Sequence, residues 1–193
     1  MKKSIWVIIG LVAILAFWGI SAYNGMVTED ENVSKVWADV ESQYQRRADL
    51  IPNIVATVKG YAEHEKGTFE AVVEARAKAT SINLTVDDLN EENMKKFQEA
   101  QSQVSSALGR LIAVSENYPE LKANEQFMEL QAQLEGTENR INEARNKFNA
   151  AVKDYNLIVR RFPGNIMASI FGFDQKTPFA AEAGAEKAPT VQF

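Results

Sequence analysis

Residues Ile5 to Tyr23 form an almost unbroken apolar run. Nineteen residues at the helical rise span about 28 Å, close to the hydrocarbon thickness of a bilayer. Beyond it the pattern turns periodic. From Val33, positions recur at alternating spacings of four and three: Val33, Trp37, Val40, Tyr44, Arg47, Ile51, Ile54, Val58 and Tyr61. This spacing predicts one face of a long helix packed along a partner. Pro52 lies inside it, so a kink or restart is expected near residues 50–52.

Gly60 and Gly67 flank the single histidine, His64, and mark a turnaround. A shorter helix is expected over residues 68–80, with Phe69, Val72, Val73 and Arg76 on one side. Residues 81–90 read as a polar loop with two helix caps, Thr85 and Asn90. A third helix, residues 91–117, carries the stripe Met94, Phe97, Gln101, Val104, Leu108, Leu111, Ser115 and Tyr118, and Pro119 ends it. Asn124 caps the longest helix, whose stripe runs Phe127, Leu130, Leu134, Thr137, Ile141, Ala144, Phe148, Val152, Tyr155, Val159 and Phe162 before Pro163-Gly164. No strand-like alternation of useful length occurs. The expected fold is all-α: a transmembrane helix followed by an elongated antiparallel up-and-down bundle of about four helices. The chain divides into a short basic N-terminus (1–4), the membrane helix (5–23), a linker (24–32) punctuated by Asn24-Gly25, the bundle (33–162), and an apolar foot with a flexible C-terminal tail (163–193).

Charge narrows the functions open to it. The formal net charge is −5. Without Lys2 and Lys3, 19 basic residues face 26 acidic ones, leaving −7. An acidic domain makes a poor nucleic-acid binder, because phosphate contacts need a clustered basic face. Cysteine is absent, which excludes disulfides, thiolate metal sites, cysteine nucleophiles and acylation of an N-terminal cysteine. A retained anchor suits the apolar run better than a cleaved signal peptide. The run is long, and cleavage after Ala22 would put bulky Ile20 where a small residue is preferred. Lys2 and Lys3 favour a cytoplasmic N-terminus and an exported bundle.

Several segments together resemble the LemA family of bacterial membrane proteins. They are Arg46-Arg47-Ala48-Asp49-Leu50-Ile51-Pro52-Asn53, Glu116-Asn117-Tyr118-Pro119-Glu120-Leu121-Lys122-Ala123, Leu134-Glu135-Gly136-Thr137-Glu138-Asn139-Arg140-Ile141, Phe148-Asn149, Tyr155-Asn156 and Pro189-Thr190-Val191-Gln192-Phe193. The similarity runs from the apolar helix to the last residues, with Phe148 standing where the family commonly has tyrosine. The resemblance implies an N-terminal membrane helix and an antiparallel bundle, and no settled activity.

Candidate chemistry is sparse. His64 has Glu63 and Glu65 beside it but no second histidine, and neither a zinc site nor a nucleophile–base pair is expected there. No Glu-x-x-His pair supports a di-iron bundle. Asp87, Asp88, Glu91 and Glu92 lack the ligand spacing and glycine of an EF-hand and read as helix capping. Arg47 is the sharper suspect, because it falls in the apolar stripe and must find carboxylates or freed carbonyls. Arg46, Arg47, Asp49, Pro52 and Asn53, with Glu138, Arg140, Arg145, Asn149 and Asn156 from the last helix, form a candidate polar layer. It either fixes the register of the helices or lines an interaction groove. Ile166, Met167, Ile170, Phe171 and Phe173 form the candidate foot, which either caps the core or touches the bilayer. No enzyme activity, cofactor or metal is expected. The expected role is a membrane-tethered scaffold or adaptor at the bacterial inner (cytoplasmic) membrane. Its partners would be the bilayer through residues 5–23 and envelope proteins of unknown identity, and a homo-oligomer stays open. The alternative is an envelope sensor whose bundle repacks on a ligand or stress.

Overall fold

The computed structural model describes residues 2–180, with side chains described from Ile5 onward. The elements are α1 (Lys2–Lys59), α2 (Lys66–Thr80), α3 (Glu91–Val114), α4 (Pro119–Lys122), α5 (Glu125–Arg160) and α6 (Gly164–Phe171), with 3-10 turns at Val86–Asp88 and Ser115–Asn117. Among the described residues the fold is all-helical. The long helices pack as pairs, α1 along α5 and α2 along α3, and α1 also meets α2.

The apolar stripes set this packing. Val33, Trp37, Val40, Tyr44, Ile51, Ile54 and Val58 on α1 are buried, as are Phe127, Leu130, Leu134, Ile141, Phe148, Val152, Tyr155 and Val159 on α5. Two stripe members fall outside the core. Tyr61 lies in the turn after α1 and is 40% exposed. Phe162 lies beyond the end of α5 and is 80% exposed. Asn90 and Asn124 cap α3 and α5, their Oδ1 atoms accepting from the N–H groups of Asn93 at 3.0 Å and Phe127 at 2.9 Å. These bonds satisfy donors that helix starts otherwise leave unpaired. Thr85 opens the 3-10 turn, its backbone N–H and hydroxyl both donating to Asp88 Oδ2. Those bonds hold the Asp88 carboxyl below its usual range.

Two sequence expectations about α1 need correction. Residues 24–32 form no linker, because α1 continues through Asn24-Gly25 without a break. A glycine inside a helix costs only about 1 kcal/mol, and Tyr23 and Met26 on either side of it pack against the C-terminal part of the chain. Helical structure also does not restart at Pro52, which lies within α1. Proline removes the N–H that would bond the carbonyl four residues back, here that of Ala48. Arg76 on α2 replaces it, its Nε donating to Ala48 O at 2.7 Å. The freed carbonyl thus finds Arg76 and not Arg47. Replacing Arg76 with alanine would leave that carbonyl without its partner in a partly buried place, at a cost of about 2 kcal/mol. Denaturant unfolding of the full chain in detergent checks this, and an unchanged midpoint would show that water serves the carbonyl equally well.

The core is split in two. One cluster joins Ile51, Ile54 and Val58 to α2, the C-terminal half of α3, and Phe127, Leu130 and Leu134. The other joins Met26, Val33, Trp37, Val40 and Tyr44 to Leu89, Met94, Phe97 and the α5 residues from Ile141 to Val159. Arg47 lies between them on α1, and Glu138 lies between them on α5.

Candidate functional site

Arg47 is 2% exposed although it carries a full charge. Both terminal nitrogens of its guanidinium are bonded from two helices. Nη1 donates to Ser105 Oγ at 2.7 Å and to Glu138 Oε1 at 2.6 Å, and Nη2 donates to Gln101 Oε1 at 2.7 Å and Gln101 O at 3.2 Å. The ring of Tyr44, one turn earlier, lies 5.2 Å from the guanidinium carbon. A buried cation is tolerable only when paired and hydrogen-bonded in this way. The result is a polar waist across the bundle, contributed by α1, α3 and α5.

The waist forms the floor of an open groove of about 1110 Å³ between α3 and α5. Gln98, Gln101 and Ser105 line one wall, Glu138 and Asn142 the other, and Leu108 and Leu134 lie beside the waist. Glu138 is 40% exposed, so one side of the Arg47 ion pair faces solvent.

Of the predicted layer, the structure pairs Arg47 with Glu138, and Arg145 lines the same groove. Arg46, Pro52, Asn53 and Arg140 are exposed, and Asp49 is exposed and accepts a bond from Gln45. Gln101 and Ser105 complete the waist. Gln101 was legible as a polar member of the α3 stripe, whereas Ser105 carried no signal of its own.

Asn149, Asn156 and Arg145 serve a second feature, and the expectation of a wholly flexible tail is corrected there. After α6, residues 173–180 run back along α5. Asn156 Nδ2 donates to Lys176 O at 2.8 Å while its Oδ1 accepts from Lys176 N at 2.9 Å. Asn149 repeats the arrangement on Phe179, at 3.2 and 2.8 Å. Seven helical residues and three extended residues both advance about 10 Å, so successive asparagines on one face meet every third residue of the strap. Arg145 lies over the Phe179 ring at 4.9 Å and donates to Ala180 O at 3.3 Å. Lys176, 9% exposed, pairs with Asp30 at 2.8 Å and lies over the Tyr155 ring. Thr177 N donates to Leu89 O. Phe179 is buried against Trp37 and Phe148, with centroids 6.1 and 5.4 Å away. The remaining tail, including Pro189 to Phe193, lies outside the described residues. A phenylalanine in a mostly small and polar stretch was the available sign of docking.

Tyr155 ties the strap to α5, its hydroxyl donating to Asp174 O at 2.9 Å. Burial, and then the negative charges of Asp30, Asp174 and Asp87, push its phenol well above the usual 10.0. A pKa raised on folding contributes stability that is complete below the unfolded value and declines as pH rises through the folded one. The unfolding midpoint should therefore fall as pH increases above about 10, and Tyr155→Phe should flatten that fall. The variant separates Tyr155 from lysines that titrate in the same range, and an identical slope in both proteins would refute the assignment.

The foot is divided. Ala168 is buried, and Met167 and Phe173 join the core, whereas Ile166, Ile170 and Phe171 are 49%, 66% and 52% exposed. The apolar run of α1 is likewise uncovered, with Trp6 at 74% and Phe17 at 77%.

These features define an elongated all-α bundle continuous with a helix long and apolar enough to cross a membrane. The chain belongs to the LemA family, whose model matches residues 36–193. It is similar to magnetosome protein MamQ 2 of Paramagnetospirillum magneticum, 26% identical over 95% of this chain and 74% of that protein. Magnetosome protein MamQ of Magnetospirillum gryphiswaldense is 26% identical over 88% of this chain and 68% of its own length. Protein LemA of Metamycoplasma hominis is 22% identical over 80% of this chain and 64% of its own.

Proposed function

We propose that the protein is a membrane-tethered, non-enzymatic scaffold that docks other envelope proteins in the groove between α3 and α5. Residues 5–23 cross the inner membrane, with the N-terminus cytoplasmic and the bundle exported. The observation that carries the reading is the groove itself: open, and lined by amides, hydroxyls and carboxylates together with two arginines and several leucine and isoleucine side chains. Such a surface suits a polypeptide partner, which offers backbone groups to the amides and side chains to the floor. His64 is exposed in the turn before α2 and does not line the groove.

A photo-crosslinking residue at Gln98 or Asn142 in the cell tests this, with a control at Val73 on α2, which is exposed although it was expected beside buried Phe69 and Val72. One protein captured reproducibly from the groove positions, and not from Val73, is the expected result. Self-crosslinks alone would overturn the adaptor. They would turn attention to the second reading, a sensor in which an anionic ligand competes for Arg47, favoured by the half-open side of the Arg47–Glu138 pair.

A further inference from the structure

Among the described residues the apolar side of α6 stays uncovered, with Ile166 49% and Ile170 66% exposed, and its position indicates what covers it. Met167 reaches α1 inside the apolar run: a Cβ added to Gly19 would sit 3.3 Å from its Cε. Phe171 and Phe173 pack edge-on against Tyr23, with ring centroids 4.9 and 5.7 Å away. Gly164 at the start of α6 lies against Met26, three residues past the end of the run. The short helix is therefore fastened to α1 between Gly19 and Met26, where the apolar segment gives way to the polar one. Four residues separate Gly19 from Tyr23, or about 6 Å of helix. That depth falls within the 5–10 Å or so at which amphipathic helices lie in the bilayer interface.

We propose that α6 is a second membrane contact, an interfacial helix that dips its apolar side into the same leaflet that α1 leaves. The proposal rests on the reading of residues 5–23 as membrane-spanning. Ile166 and Ile170, one turn apart and both exposed, enter the acyl region, and Phe171, half exposed where it rests on Tyr23, borders them. Phe162, 80% exposed ahead of the helix, enters with them. Ala168, Met167 and Phe173 hold the helix to the bundle from the opposite side. Arg160 and Arg161, both exposed at the end of α5, lie at headgroup level, where guanidinium groups can bond lipid phosphates while their stems stay in apolar surroundings. A single spanning helix leaves a rod free to tilt and turn about its exit point. A second contact on one side fixes both motions, and so determines which way the groove between α3 and α5 faces along the membrane.

The chain contains no cysteine, so one introduced thiol gives one labelled site. Full-length Ile166→Cys and Ile170→Cys variants would carry an environment-sensitive fluorophore. They would be reconstituted into vesicles of phosphatidylethanolamine and phosphatidylglycerol, with bromine placed at shallow or deep acyl positions. Val12→Cys in the apolar run and Val73→Cys on α2 are the references. The expected result is a blue shift at 166 and 170, with loss of emission mainly to shallow bromine. Val12→Cys should be quenched by deep bromine and Val73→Cys by neither. If 166 and 170 behave as 73 does while 12 is quenched, the anchor stands and the interfacial helix is overturned. If 12 is not quenched, the membrane-spanning reading itself fails. A blue shift at 166 and 170 without quenching would also overturn the proposal, in favour of a second copy of the chain covering α6.

Discussion

Arg47→Ala is expected to destabilise the bundle by about 3 kcal/mol, the lower part of the range for breaking a buried ion pair. Glu138 is 40% exposed and can return to water, which limits the loss. Gln101 cannot: it is 9% exposed, and its side-chain oxygen would lose the Nη2 bond. Arg47→Met should behave quite differently. A flexible apolar side chain of similar length would join the two hydrophobic clusters on either side of the waist. Replacing a buried charged group by well-packed apolar volume is often neutral or stabilising. The methionine variant should therefore keep a near-normal unfolding midpoint while the alanine variant loses it. If both variants were equally unstable, the waist would be a structural necessity. A stable methionine variant that no longer captures a partner would place Arg47 in the docking surface.

The second large effect is expected at Phe179. Removing a buried phenylalanine side chain costs about 3–5 kcal/mol where the surroundings cannot collapse. Here the strap holding it can detach as a unit, so the loss should appear as local undocking of residues 173–180 and not as global unfolding. Phe179→Ala should speed amide exchange at Lys176 and Phe179, whose N–H groups are held by Asn156 and Asn149. It should also expose Trp37, 2% exposed in the intact protein, and shift its emission to the red once Trp6 and Trp18 are replaced by phenylalanine. Asn149→Ala should give a weaker version of the same pattern, because it removes two hydrogen bonds and leaves the ring in place. Unchanged exchange at both amides in Phe179→Ala would mean that the side-chain clamps alone retain the strap.

The long helices could be read from the sequence because each buries one stripe, and a 3.6-residue period is visible without knowing what lies opposite. The caps at Asn90 and Asn124 were legible for a similar reason, being contacts within three residues. Arg47 announced itself as a charge in an apolar stripe, which must be neutralised somewhere, and Glu138 was among its expected partners. The other expected partners were misplaced because spacing along one helix says which face a residue occupies, not what faces it. Asn149 and Asn156 do turn inward, but onto the backbone of a strap some 20 to 30 residues further along the chain.

The amino-acid order by itself determined the apolar run, the all-helical class, the bounds of α2, α3 and α5 to within a few residues, and the need for a polar break at Arg47. All of these follow from local periodicity and composition. Tertiary structure decided what distant segments supply to one another. Arg76 takes the carbonyl that Pro52 frees, Gln101 and Ser105 complete the waist, the strap covers Trp37, and α6 lies against Gly19 and Tyr23. Each joins groups from 28 to about 150 residues apart. Hydrogen bonds and ring contacts of that kind depend on which helix faces come to lie together, and no local pattern along the chain encodes the pairing.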